Sequence, residues 1–104
     1  MAEITLTSEN FKAEVLESKV PVLVDFWATW CGPCQMMGPV VEELANESDG
    51  SYKVGKVNVD EQGDLAQEYG IMSIPAFFVF KDGKVASSTV GAQGKDALLE
   101  MIKN

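Results

Sequence analysis

The two cysteines of this 104-residue chain, Cys31 and Cys34, stand three positions apart around Gly32 and Pro33, directly behind Trp30. Two sulfurs at that spacing can exchange a disulfide, form half of a zinc site, or sit as inert thiols. The chain contains no histidine. A mononuclear zinc site would therefore need a second chain, and cysteine–histidine nucleophilic catalysis is excluded. Local geometry favours redox exchange. Helical positions i and i+3 hold their Cβ atoms about 5–6 Å apart, whereas a disulfide needs about 3.5–4.5 Å, so the first cysteine must sit at a helix end where the backbone can relax. Pro33 supplies that end, because a proline in the first turn loses an N–H that has no partner anyway.

Cys31 is thereby placed at a helix N-terminus, facing unpaired N–H groups and the positive end of the helix dipole. These groups favour a thiolate and make Cys31 the nucleophile that attacks another disulfide. Cys34, one turn inward, is the resolving thiol that attacks the mixed disulfide. Gly32 leaves room beside Cys31 for another backbone. Asp25 is the second chemically unusual residue. Strand alternation sets Val22, Val24 and Phe26 on one face and Leu23, Asp25 and Trp27 on the other, so the carboxylate is expected to be covered and its pKa raised by desolvation. One reading has it exchange a proton with Cys34, with Lys56 on the neighbouring strand moderating its charge. The other has it as a strand-end carboxylate bonded to backbone.

These residues need a scaffold, and the chain offers one. Ile4 to Leu6 reads as a short strand, followed by a helix capped by Thr7 or Ser8 with Phe11, Val15 and Leu16 on one face. Val20 to Phe26 is too continuously apolar for a half-wet strand and fits the covered centre of a sheet. Met36 to Ala45 has helical composition interrupted by Pro39, which is expected to kink it. Tyr52 to Val59 reads as a third strand, Asp60 to Tyr69 as a short helix closed by Gly70. Ala76 to Lys81 and Lys84 to Val90 form a hairpin through Asp82-Gly83. Gly94 to Lys103 ends the chain as a helix with Ala97, Leu98, Met101 and Ile102 on one face. The order βαβαβαββα predicts an α/β domain, with a central mixed five-stranded sheet flanked by four helices. The five methionines and Phe77, Phe78 and Phe80 read as core.

Composition narrows the function. An apolar fraction of 46% and a charged fraction of 23% suit one globular domain spanning residues 1–104. Eight lysines, no arginine and sixteen acidic residues give a net charge of −8, which opposes nucleic acid and anionic membranes as partners. The N-terminal MAEITLTSENF has no basic segment followed by an apolar run. A cytoplasmic location is the expectation, where a cysteine pair serves redox chemistry more often than permanent cross-linking. A monomer is expected, since no long helix exposes an apolar face.

DFWATWCGPC, with Ser73-Ile74-Pro75 and the hairpin FKDG, closely resembles the thioredoxin family, and the order of elements matches the thioredoxin fold over essentially the whole chain. The resemblance implies Cys31 as exposed nucleophile, Cys34 as resolving thiol, Asp25 as buried acid–base group and Lys56 as its neighbour. It also implies a cis Ile74–Pro75 bond against the cysteines. Trp30, Gly32, Pro33, Ile74, Pro75, Gly91 and Ala92 are implied to form a flat apolar docking surface for extended substrate segments. The implied activity is reduction of protein disulfides with no bound cofactor. Electrons then come from NADPH through a thioredoxin reductase, and the partners are that reductase and disulfide-containing proteins. Gln35 departs from the family pattern, standing where lysine or arginine often follows the second cysteine. Thr29 and Met72 differ from forms carrying charge. Two other functions remain open: an oxidant or isomerase of the same fold, and an adaptor that uses the apolar rim alone.

Overall fold

A computed structural model describes residues 1–104. Its five strands are β1 (Ile4–Thr5), β2 (Val22–Trp27), β3 (Lys53–Asn58), β4 (Ala76–Lys81) and β5 (Lys84–Val90). They form one sheet in the order β1-β3-β2-β4-β5, which puts β2 at the centre. β1 and β2 pair parallel to β3, whereas β4 runs antiparallel to both β2 and β5. Sequence alone required only the β4–β5 pair to be antiparallel. The β2–β4 pairing follows from how the chain crosses over after β3, which no local residue pattern encodes. Three α-helices, α1 (Gly32–Glu47), α2 (Gly63–Glu68) and α3 (Lys95–Lys103), and one π-helix, Lys12–Leu16, cover the sheet.

Alternation along β2 divides the core in two. Leu23 packs with Met37, Val41 and Leu44 of α1 and with Leu98 and Ile102 of α3. On the other face Val22, Val24 and Phe26 pack with Phe11 and Val15 of the π-helix region and Leu65 of α2. Both faces of β2 are therefore dry, which explains its unbroken apolar run. Aromatic rings reinforce the second layer: Tyr69 meets Phe80 edge-on at 5.3 Å and Phe26 meets Phe78 at 5.3 Å, arrangements that suit ring quadrupoles.

The first helix departs from expectation. Thr7 caps no α-helix; its N–H donates to Asn10 Oδ1 at 2.7 Å while Asn10 N–H donates to Thr7 Oγ1 at 3.3 Å. This reciprocal turn feeds a wider coil in which Glu17 N–H reaches Lys12 O at 2.9 Å, an i to i+5 bond. Pro39 sits inside α1, and the helix continues through it to Glu47. On α3 the core-facing pair is Leu98 and Ile102, with Leu99 and Met101 packed against it, whereas Ala97 is exposed. The methionine reading also needs correction. Met37 is buried and Met101 partly so, but Met1, Met36 and Met72 are exposed, Met72 at 95%.

Candidate active site

The carboxyl end of β2 delivers the chain into a tight turn, Ala28-Thr29-Trp30, in which Cys31 N–H donates to Ala28 O at 3.3 Å. α1 then starts immediately. Cys31 is its N-cap, with extended backbone angles of φ −90° and ψ 109°, and Pro33 occupies its first turn. The Sγ of Cys31 accepts the N–H of Cys34 at 3.2 Å, so the sulfur takes the place that a serine or aspartate oxygen takes in an ordinary cap. A donor aimed at that atom, reinforced by the helix dipole, favours negative charge on it.

Cys31 and Cys34 are joined by a disulfide, their Cα atoms 5.2 Å apart. Both are largely covered, Cys31 at 5% exposure and Cys34 at 4%. Exposure therefore does not distinguish the sulfurs in this disulfide form, contrary to the expectation that Cys31 stands exposed. Position does distinguish them: Cys31 lies at the helix mouth and Cys34 in the first turn. The pair packs with Ala28, Trp27, Val59 and Ile74. Gln35, where the resemblance led one to look for a cation, donates its side-chain N–H to Ala28 O at 3.4 Å and Thr29 O at 3.2 Å. It ties the turn before the cysteines to the helix after them.

The Ile74–Pro75 bond is cis. The Ile74 carbonyl oxygen lies 3.8 Å from Cys31 Sγ. Pro75 itself is buried and its carbonyl accepts Gly91 N–H at 2.7 Å, so the turn at Gly91, φ +95°, is fastened beside it. Among the seven residues expected on a docking surface, Trp30, Gly32, Pro33 and Ala92 are exposed and Ile74 and Gly91 half-buried, while Pro75 lies beneath the others. Trp30 is 69% exposed. Its indole N–H donates to Asp60 Oδ2 at 2.8 Å. Asp60 was not singled out from sequence; thirty positions away, it carries no local signal. Met36, expected in the core, is exposed because on α1 it falls outside the inward row Met37, Val41 and Leu44.

Asp25 is 2% exposed and its Oδ1 has no hydrogen-bond partner. The reading of it as a backbone-bonded carboxylate does not account for that bare oxygen. Burial is the main cause that pushes its pKa up to about 7, with Lys56 opposing and Glu3 adding to the rise. Lys56 lies directly across from Asp25 in the β2–β3 register. Its ammonium rests over the Trp27 ring, 4.5 Å from the centroid, a cation–π contact, and forms no ion pair with Asp25. A carboxyl that titrates near neutrality on the face covered by α1 can both give and take a proton. No cluster of side chains suited to a metal ion is present.

The sequence is similar to those of known proteins. The thioredoxin family model matches residues 2–104. A thioredoxin of Rickettsia felis is 50% identical over 97 residues, covering 93% of this chain and 92% of its own. Thioredoxin 1 of Nostoc is 50% identical over 102 residues, covering 98% and 95%, and thioredoxin 1 of Synechococcus elongatus 54% over 93 residues, covering 89% and 87%. Carrying the paired cysteines as a disulfide at the mouth of α1, this chain belongs to the thioredoxin family and is a thiol-disulfide oxidoreductase.

Proposed function

We propose that the chain reduces disulfides of other proteins, with Cys31 attacking and Cys34 resolving. In the reduced chain the Cys31 thiolate attacks one sulfur of the substrate disulfide, forming an intermolecular disulfide and releasing the first substrate thiolate. Cys34 passes its proton to ionised Asp25 and attacks Cys31 Sγ, closing the Cys31–Cys34 bond and releasing the second thiolate. Two electrons move to the substrate and the chain is left oxidised. The observation that carries this assignment is the Cys34 N–H donated to Cys31 Sγ at the N-cap of α1, since the sulfur stabilised as an anion is the one that attacks first. Lys56 moderates the charge of Asp25 across the strand.

Trp30, Gly32, Pro33, Ile74, Pro75, Gly91 and Ala92 serve as the docking face in this reading, Pro75 by supporting it from below. The exposed indole of Trp30 and the half-buried Ile74 beside Cys31 are what support that assignment. A thioredoxin reductase drawing on NADPH returns the disulfide to dithiol, as family membership suggests. The chain works as one domain, as a monomer in the cytoplasm, with its net charge of −8 keeping it from nucleic acid. No helix is long and apolar enough to cross a membrane. Trapping tests the order of attack. Cys34→Ser, mixed with a protein carrying an accessible disulfide, is expected to accumulate a mixed disulfide through Cys31; accumulation by Cys31→Ser instead would reverse the roles.

A further inference from the structure

Glu3 lies just before β1. Continuing the alternation of β1 back by one residue sets it on the face that Thr5 shares with Lys56 and Asp25, since Thr5 and Asp25 both stand opposite Lys56. This is the face that α1 covers. The segment is held at both ends: the Met1 ammonium donates to Ala45 O at 3.0 Å and Ser48 O at 3.2 Å, and Leu6 N–H donates to Lys56 O at 2.9 Å. Between these anchors Glu3 keeps Oε2 buried with no hydrogen-bond partner, the same condition as Asp25 Oδ1. Lys56 lies between the two strands that carry them and forms an ion pair with neither.

Ionising both covered carboxylates beside one lysine leaves a net negative charge in a poorly solvated place, so the second ionisation is opposed and a proton is held to higher pH. It stays on the more deeply covered group, Asp25. The remaining neighbours do not supply a compensating cation: α1 presents Glu42 toward Glu3 and carries the disulfide-bonded Cys34, β4 sets Phe77 opposite Asp25, and α3 contributes Leu98 and Ile102.

We propose that Glu3 adds to the hold that burial gives Asp25 on its proton, by sharing Lys56 with it. The electrostatics agree in direction, with Glu3 acting to raise the Asp25 pKa and Lys56 acting to lower those of both carboxyls. The consequence for exchange rests on Asp25 being the proton partner of Cys34, which makes Glu3 a positioning residue acting through Asp25.

Carbon-detected NMR titration of the Asp25 and Glu3 carboxyls in the oxidised chain tests this. Glu3→Gln, nearly isosteric, is expected to shift the Asp25 midpoint down, Glu3→Asp to restore much of it, and Lys56→Met to shift it up. An Asp25 midpoint unchanged in Glu3→Gln overturns the proposal, as does an equal fall in Glu3→Asp, which would assign the effect to shape, or no rise in Lys56→Met. Single-turnover resolution of a mixed disulfide supplies the second readout, its pH profile moving down with the Asp25 midpoint. Should the midpoint move while that profile stays fixed, the sharing of Lys56 stands and Asp25 loses its assignment as partner of Cys34.

Discussion

At Asp25 the folded chain holds a carboxyl whose pKa is pushed from 3.8 up to about 7 by burial, and this fixes how stability depends on pH. Between those values the unfolded chain has released the proton while the folded chain still binds it, so stability falls as pH rises through the interval. At 1.36 kcal/mol per unit the loss is on the order of 4 kcal/mol by pH 8. Asp25→Asn carries no such penalty. It is expected to be more stable than the parent in urea denaturation at pH 8, by up to that amount, and to show no advantage from this source at pH 3. Equal denaturation midpoints at pH 8 would mean the carboxylate is solvated or paired. The same variant is expected to slow resolution of a mixed disulfide at neutral pH while leaving the first attack by Cys31 nearly intact; rapid mixing separates the two steps, and equal rates in both would remove Asp25 from the chemistry. Placements that follow from spacing were legible beforehand: the cysteines at a helix mouth, Pro33 in its first turn and the covered face of β2. Asp60 and Glu3 were not, because Asp60 reaches Trp30, and Glu3 the face of Lys56, only through the pairing of distant segments. The cis bond before Pro75 came from resemblance, since an X–Pro bond favours trans and its neighbours in sequence do not mark the exceptions.

Among the elements, the β4–β5 hairpin shows why some boundaries could be read to the residue. Asp82 and Gly83 adopt φ of 55° and 79°, the paired positive angles that match a two-residue turn to strand twist. Asp-Gly in sequence announces that turn, and both strands ended where expected. Gly83 carries a second requirement that sequence did not reveal: a Cβ there would lie 2.9 Å from the Leu16 carbonyl oxygen, at the end of the π-helix. Gly83→Ala is therefore expected to cost about 1–2 kcal/mol, from the left-handed backbone alone, and more if Leu16 cannot move. A fall in the urea midpoint with unchanged slope is the expected result, and an unaltered midpoint would show that the turn relaxes freely. The π-helix was read as an α-helix because Thr7 resembles an N-cap. Phe11 and Val15 are buried in the core with Phe80, and an apolar spacing of four residues does not tell a π-helix from an α-helix. α1 starts where Pro33 and the cysteine spacing place it, ahead of the stretch Met36 to Ala45 whose composition is helical, because the cap at Cys31 sets Gly32 and Pro33 in the first turn.

Across the whole molecule, the sheet order puts β2 between β3 and β4, and the site forms where its carboxyl end meets the N-terminus of α1 and the turn before β4. Three separate stretches converge there: residues 25–35, Lys56 on β3, and the Ile74–Pro75 turn fastened through Gly91. Because α1 and α3 are tied to one face by Leu23, Leu44 and Leu98, and Lys95 bonds both Glu43 and Glu47, the scaffold presents the sulfurs from fixed elements. In the proposed account this fixed placement favours closing the Cys31–Cys34 disulfide over leaving two separate thiols, which is what a reductant requires. The most direct test of that claim is an equilibrium titration of the Cys31–Cys34 couple against a dithiol buffer, followed by fluorescence of Trp27 and Trp30. A single two-electron transition, at a potential more negative than that of the cytosolic glutathione pool, is the predicted result. A markedly higher potential, or no intramolecular disulfide at all, would contradict the account of this chain as a reductant.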